Sequence, residues 1–302
     1  MSNIKTITNN NNNKNGGGQS KPDLHVVSFS GGKDSTAMLL GMIERDMPID
    51  YILFCDTGIE FPAMYEHIDR VEKYIDRKIT RIKSNKNFEY FLLDHPVKRK
   101  EGTTFKGQDL SDITGYGWSS SNIRWCTTTL KYDVIRLWKR QYSSQYNIIE
   151  YIGLAADEID RLKRNNNTKD NHRHPLVDWN MTEIDCLQYC YDHGFDWGGL
   201  YEYFNRVSCW CCPLKSLAEL RQLYHHFPDL WEQLKEWDDK CWNTFRFDSS
   251  IEQLGIRFDL EDEFAIKGLN NSMRNKDFKA EYLRRIKENN NEKSNDITAN
   301  EE

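Results

Sequence analysis

The apolar positions of this chain follow two rhythms. Leu24-His25-Val26-Val27-Ser28-Phe29 is a short valine-rich run with apolar side chains on both parities, the pattern of a strand covered on both faces. From Lys33 the spacing changes. Met38, Leu39, Met42 and Ile43 recur at three and four residues, which predicts a helix. A second buried strand, Tyr51 to Cys55, ends at Asp56-Thr57-Gly58. "PAMYEHIDRVEKYI" (62–75) is again helical, with Pro62 suited to a first turn, and "KITRIK" (78–83) is a third strand. This order predicts an α/β fold, an open and mostly parallel sheet with helices on both faces.

Residues 95–122 carry no steady period and predict a long loop of the kind that forms lids. "CTTTLKYDVIRLWKRQ" (126–141) returns to helical spacing, and "YNIIEYIGL" (146–154) is a fourth strand with Gly153 at its end. "DEIDR" begins a helix that dissolves into a polar, basic loop. "TEIDCLQYCYDHG" (182–194) is a helix with Gly194 as its stop, and Cys186 and Cys190, one turn apart, are expected in the core. Residues 216–242 read as one helical run. The domain plan is a disordered Asn/Gly-rich tail over 1–22, an α/β domain over 23–230, a helical extension over 231–287 and a disordered polar tail over 288–302.

The chain has 302 residues and a formal charge of −6, so its overall field does not draw in nucleic acid. Local basic stretches remain at 97–106 and 161–174, which are expected as solvated loops or as a clamp for a polyanion. Nine tryptophans and fifteen tyrosines predict a thick core or a groove with flat walls. No apolar run is long enough to span a membrane, and the first residues lack the apolar core of a secretory signal. The expectation is a cytoplasmic protein with no membrane partner, its oligomeric state left open.

The chemistry concentrates in the bend between the first strand and the first helix. Gly31 and Gly32 let backbone N–H groups turn inward as a nest, and the following helix adds its positive end. Ser30, Ser35 and Thr36 supply hydroxyls and Lys33 a charge, so the bend suits a bound phosphate, pyrophosphate or sulfate. The Walker A spacing is absent. Asp34 is repulsive to an anion unless it orients a hydroxyl, a water or a metal ion, and Lys33 and Asp34 are therefore the candidate catalytic pair.

Ser30-Gly31-Gly32-Lys33-Asp34-Ser35 resembles the PP-loop of the adenine-nucleotide α-hydrolase superfamily. "FCDTGIEFPAMYE" (54–66), "WCTTTLK" (125–131), "IGLAADEIDR" (152–161), "HPLVDW" (174–179) and "CWCCP" (209–213) are similar, in order, to the phosphoadenylyl-sulfate (PAPS) reductase branch. The resemblance implies that residues 30–36, with Asp56, Thr57 and Gly58 at the next strand end, bind ATP, PAPS or adenylyl sulfate (APS). It implies that Lys131 and Arg161 face the substrate's anionic end. The implied activity is cleavage of a sulfonucleotide with a thiol reductant. The alternatives are ATP-dependent adenylation of a nucleic acid or small molecule followed by sulfur insertion from a sulfur donor, and a non-catalytic nucleotide sensor. Two departures bear on this choice. No Glu-Cys-Gly-Ile-His-like stretch with a nucleophilic cysteine occurs near the C-terminus, and Ala155 and Ala156 stand where the reductases often have arginine.

Eight cysteines in a chain without a signal peptide favour metal or redox chemistry over disulfides. Cys126, Cys209, Cys211 and Cys212 are the candidate ligands of a [4Fe–4S] cluster, otherwise of zinc. Cys209 and Cys212 alone also have the spacing of a redox dithiol, and buried unligated cysteine is the remaining alternative.

Overall fold

The computed structural model describes residues 21–163, 171–207 and 209–299. The expected tail over 1–22 lies almost wholly outside them. Strand β1 (Asp23–Ser28) leads through the bend into helix α1 (Lys33–Glu44), β2 (Tyr51–Asp56), α2 (Pro62–Ile75) and β3 (Ile79–Lys83), as the apolar rhythm predicts. A two-residue hairpin, β4 (Thr104–Phe105) and β5 (Gln108–Asp109), is the regular structure in the long loop. Then come α3 (Trp125–Thr127), α4 (Asp133–Arg140), β6 (Asn147–Ile152), α5 (Ile159–Leu162), β7 (His172–Arg173), α6 (Pro175–Asp178), α7 (Glu183–Asp192) and α8 (Leu200–Tyr203). The chain ends in α9 (Leu217–His226), α10 (Pro228–Lys240), α11 (Ile251–Ile266) and α12 (Lys276–Ala299).

The five long-range strands pair in parallel in the order β3-β2-β1-β6-β7. Both faces are covered because the strands alternate two apolar sets. Val27, Phe29, Ile52 and Phe54 join the large core with α1, α2 and α7. Leu24, Val26 and Leu53 face the other way and pack on Trp138 of α4 and on Ile148. The sheet order reverses at β1, whose neighbours are β2 on one side and β6 on the other. The bend after β1 therefore opens at the switch point beyond the strand carboxyl ends, where open α/β sheets bind ligands.

Three elements differ from the sequence reading. The helix over 126–141 contains a wide, five-residue-spaced turn at Thr128–Tyr132, beside which Cys55 Sγ donates to the Leu130 carbonyl at 3.1 Å. The run over 216–242 breaks at Phe227, because Pro228 brings no N–H and suits only the first turn of a new helix. The expected tail from 288 is helical to Ala299, as the last part of α12. The helical extension shares the main core, which runs unbroken from Val27 to Phe258. Buried Asp238 fastens it, accepting from Trp118 Nε1 at 2.9 Å and from the backbone N–H groups of Phe245 and Ile251 at 2.7 Å each. No helix among the described residues is long and apolar enough to cross a membrane.

Candidate functional site

The bend at 30–36 is held open by glycine geometry. Gly31 has φ +79°, and a Cβ there would stand 2.6 Å from Met64 Sδ, so a side chain is excluded by both conformation and space. Trp197 Nε1 donates to the Gly31 carbonyl at 2.7 Å from 166 residues away. Gly153, at the end of β6, lets that strand pass against α1, since a Cβ there would lie 2.8 Å from Ser35 Cα. Gly32 is the N-cap of α1 and offers no side chain to the helix's first N–H groups. One of them, that of Lys33, donates to the Tyr201 hydroxyl at 2.8 Å. Ser35 Oγ lies 3.0 Å from Ser30 Oγ and donates to the Gly32 carbonyl. Thr36 is fully buried, with Oγ1 3.0 Å from His67 Nε2, and so shapes the loop from behind. Burial pushes the His67 pKa down to about 3, so its ring is neutral.

The charges around the bend are mostly negative. Lys33 Nζ contacts Glu183 Oε2 at 2.6 Å and Asp34 Oδ1 at 3.4 Å. Burial pulls the Lys33 ammonium down, but Glu183 and Asp34 more than offset it and hold the pKa above its ordinary value. Burial, assisted by Glu183 and Glu158, pushes Asp34 up to about 6 against the pull of Lys33. Asp34 Oδ1 is buried and makes no hydrogen bond among the described residues. Arg161 is not aimed alone at the site; it pairs with Glu158 at 2.9 Å.

At the end of β2, Asp56 Oδ1 accepts from Gly58 N at 2.9 Å and from the Tyr65 hydroxyl at 2.8 Å. Asp56, Thr57 and Gly58 line a cleft of about 280 Å³ closed by Lys83–Asn87 and Leu130.

The cysteine segment meets this strand end at one carboxylate. Glu60 Oε1 accepts from the Thr57 hydroxyl at 3.1 Å, lies 3.8 Å from Cys209 Sγ, and pairs with Lys131 Nζ at 3.6 Å. The Trp210 N–H, donating to the Ile59 carbonyl at 3.1 Å, ties the two backbones together. Burial lowers the Lys131 pKa, but Cys209, Glu60, Cys55 and Cys126 outweigh it and keep the ammonium charged. Cys126, Cys209, Cys211 and Cys212 act electrostatically on one another, so the four expected sulfurs share one neighbourhood. Burial raises the thiols of Cys209 (to about 12), Cys211 and Cys212, which favours their protonated forms. Among the described residues no group of three or more His, Cys, Asp or Glu side chains is spaced to hold a metal ion. As spaced, these thiols do not fit a metal or a cluster, and no step below is routed through one. Cys186 and Cys190 lie in the core as expected.

Glu60, Glu183, Tyr201, Trp197 and His67 escape the sequence reading. A local signal existed for Glu183 alone: the Thr182/Asp185 capping box marks the start of α7, which places Glu183 at a helix tip.

The family profile described as the phosphoadenosine phosphosulfate reductase domain matches residues 24–101. A protein of Methanocaldococcus jannaschii, uncharacterized, is 25% identical over 228 residues, covering 71% of this chain and 42% of its own length. A second from the same organism is 24% identical over 68% of this chain and 45% of its length. The chain thus spans less than half the length of these two relatives. An uncharacterized 37.8 kDa protein of Escherichia phage 186 is 24% identical, over 71% of this chain and 74% of its own. Among solved structures, the U34-tRNA thiolase NcsA from Methanococcus maripaludis with its [4Fe–4S] cluster aligns over 80% of this chain and 72% of that one, at 13% identity and a TM-score of 0.35. Residues 24–101 are thus similar to the phosphoadenosine phosphosulfate reductase domain.

Proposed function

We propose that this protein is a PP-loop enzyme that binds ATP at residues 30–36 and 56–58 and adenylates a carbonyl-type oxygen, which sulfur then replaces. The acceptor oxygen attacks the α-phosphorus and pyrophosphate leaves. A sulfide-class donor then attacks the activated carbon through sulfur, loses its proton, and the oxygen departs with AMP. The supporting observation is the bend itself, with Gly31 at positive φ and Gly32 at the tip of α1, placed where the sheet order reverses at β1. Lys33 would neutralise phosphate charge, and Asp34, buried and paired with Lys33 at 3.4 Å, would orient the reacting groups. Asp56 and Gly58 would shape the adenosine end of the cleft.

The second reading is sulfonucleotide cleavage, favoured by the match over 24–101. It needs a thiolate that attacks the sulfate sulfur, a role that burial of the Cys209, Cys211 and Cys212 thiols opposes at these three positions. In a turnover assay with ATP, APS and PAPS, pyrophosphate and sulfite are read separately. Acceptor-dependent pyrophosphate from ATP supports the proposal. Sulfite from PAPS or APS without pyrophosphate supports the second reading, and no turnover supports a sensor.

A further inference from the structure

The long loop and the segment after α10 enclose a second cavity, of about 430 Å³. Its walls are six aromatic rings: Phe105, Tyr116, Trp118, Trp242, Phe245 and Phe247. Arg99 is the one charged side chain among the described residues that line it. Its guanidinium lies 5.3 Å from the Trp242 ring centre and is fastened to the Gly115 carbonyl at 2.7 Å.

The slot is built, not incidental. Asp238 pins Trp118 and Phe245 from behind, and these two rings meet edge to face at 4.9 Å. Asn243 clasps the Trp118 backbone on both sides, accepting from its N–H at 2.7 Å and donating to its carbonyl at 3.1 Å. Hydroxyls of Thr103, Ser119, Ser120 and Thr244 add polar edges. Rigid flat walls with a few polar groups suit a planar heterocycle.

We infer that this slot takes an unstacked base of a single-stranded nucleic acid, the acceptor of the reaction proposed above, on which this inference rests. The argument for a strand over a free nucleoside lies at the rim. Phe247 is 82% exposed, and Lys106 Nζ stands 5.9 Å from its ring centre and 5.3 Å from that of Phe105. Lys98, Lys100 and Lys106 are exposed along the same loop, which also carries Glu101, Asp109 and Asp112, and none of these six side chains lines the slot itself. Stacking rings beside exposed cations are the two elements of single-strand binding. The slot is also placed for this role. Trp118 packs at 6.3 Å on Phe88, which directly follows Asn87 in the wall of the nucleotide cleft.

The test titrates the full chain into single strands of about 12 nucleotides, RNA and DNA, each carrying one 2-aminopurine, a length within the usual single-strand site sizes. The expected result is quenching of the base on binding, and affinity about tenfold weaker in Phe247→Ala and several-fold weaker in Lys106→Ala, in line with the loss of one stacking partner. Both side chains are exposed, and calorimetry should find ATP affinity unchanged in both variants. The slot assignment is overturned by absent quenching, by unchanged affinity in Phe247→Ala, or by duplex or free nucleosides binding as tightly as the strand. Intact strand binding without pyrophosphate release would overturn the adenylation reading and leave the slot standing. Pyrophosphate release without strand binding would do the reverse.

Discussion

Cys209 Sγ lies 3.8 Å from Oε1 of Glu60, the same oxygen that accepts the hydroxyl of Thr57. Two segments 149 residues apart in sequence thus meet at one carboxylate, so a sulfur atom stands beside the strand end that borders the cleft at Asp56–Gly58.

This contact sets the reactivity of Cys209. Burial raises its thiol first, Glu60 raises it further, and Lys131 opposes both. Glu60→Gln should therefore speed alkylation of Cys209, and Lys131→Ala should slow it, each by about three- to tenfold at pH 8, since rate follows the thiolate fraction. Peptide mass spectrometry after timed iodoacetamide treatment reads both. Equal rates in wild type and Glu60→Gln would remove the carboxylate from this account.

Asp34 makes stability depend on pH. Its folded pKa, about 6, lies above its ordinary value of 3.8, so the folded chain holds the proton more tightly than the unfolded one. Stability from this group is present below pH 3.8 and is lost as pH rises towards 6. Asp34→Asn lacks that loss. Relative to wild type it should gain roughly 2–3 kcal/mol between pH 4 and pH 7, from about 1.4 kcal/mol per pKa unit. Urea denaturation of both proteins at the two pH values gives the difference. A gap that does not change with pH would refute the burial argument.

Gly31→Ala should destabilise the fold. It combines a positive φ with a Cβ 2.6 Å from Met64 Sδ, at a cost of roughly 2–4 kcal/mol. Thermal unfolding beside the wild type measures it, and an unchanged midpoint would contradict the geometry described.

What the sequence makes legible here is local chemistry. Gly31-Gly32-Lys33 reads as a nest suited to an anion because the turn, the helix tip and the charge are contiguous. The strands declare a covered sheet because Val26 and Val27 point to opposite faces and both are buried. Pro228 marks a helix break, a signal that the apolar spacing of 216–242 masks. Glu60, Tyr201 and Trp197 are illegible for a physical reason. Nothing near them in sequence differs from an ordinary surface acid or core aromatic, and their roles arise only when the sheet brings distant segments to one edge. The cysteines are intermediate. Their spacing announces shared chemistry, but their protonation follows from burial that no spacing shows.

The most direct test of the central claim is calorimetric titration of ATP into wild type, Gly32→Ala and Ser35→Ala. A Cβ at Gly32 meets nothing nearer than the Tyr201 hydroxyl at 3.5 Å, so the variant should fold while losing the close backbone approach to phosphate. The account predicts a loss of about 10- to 150-fold in affinity in each variant, the worth of one hydrogen bond to a charged group. Wild-type affinity in a folded Gly32→Ala protein would contradict it.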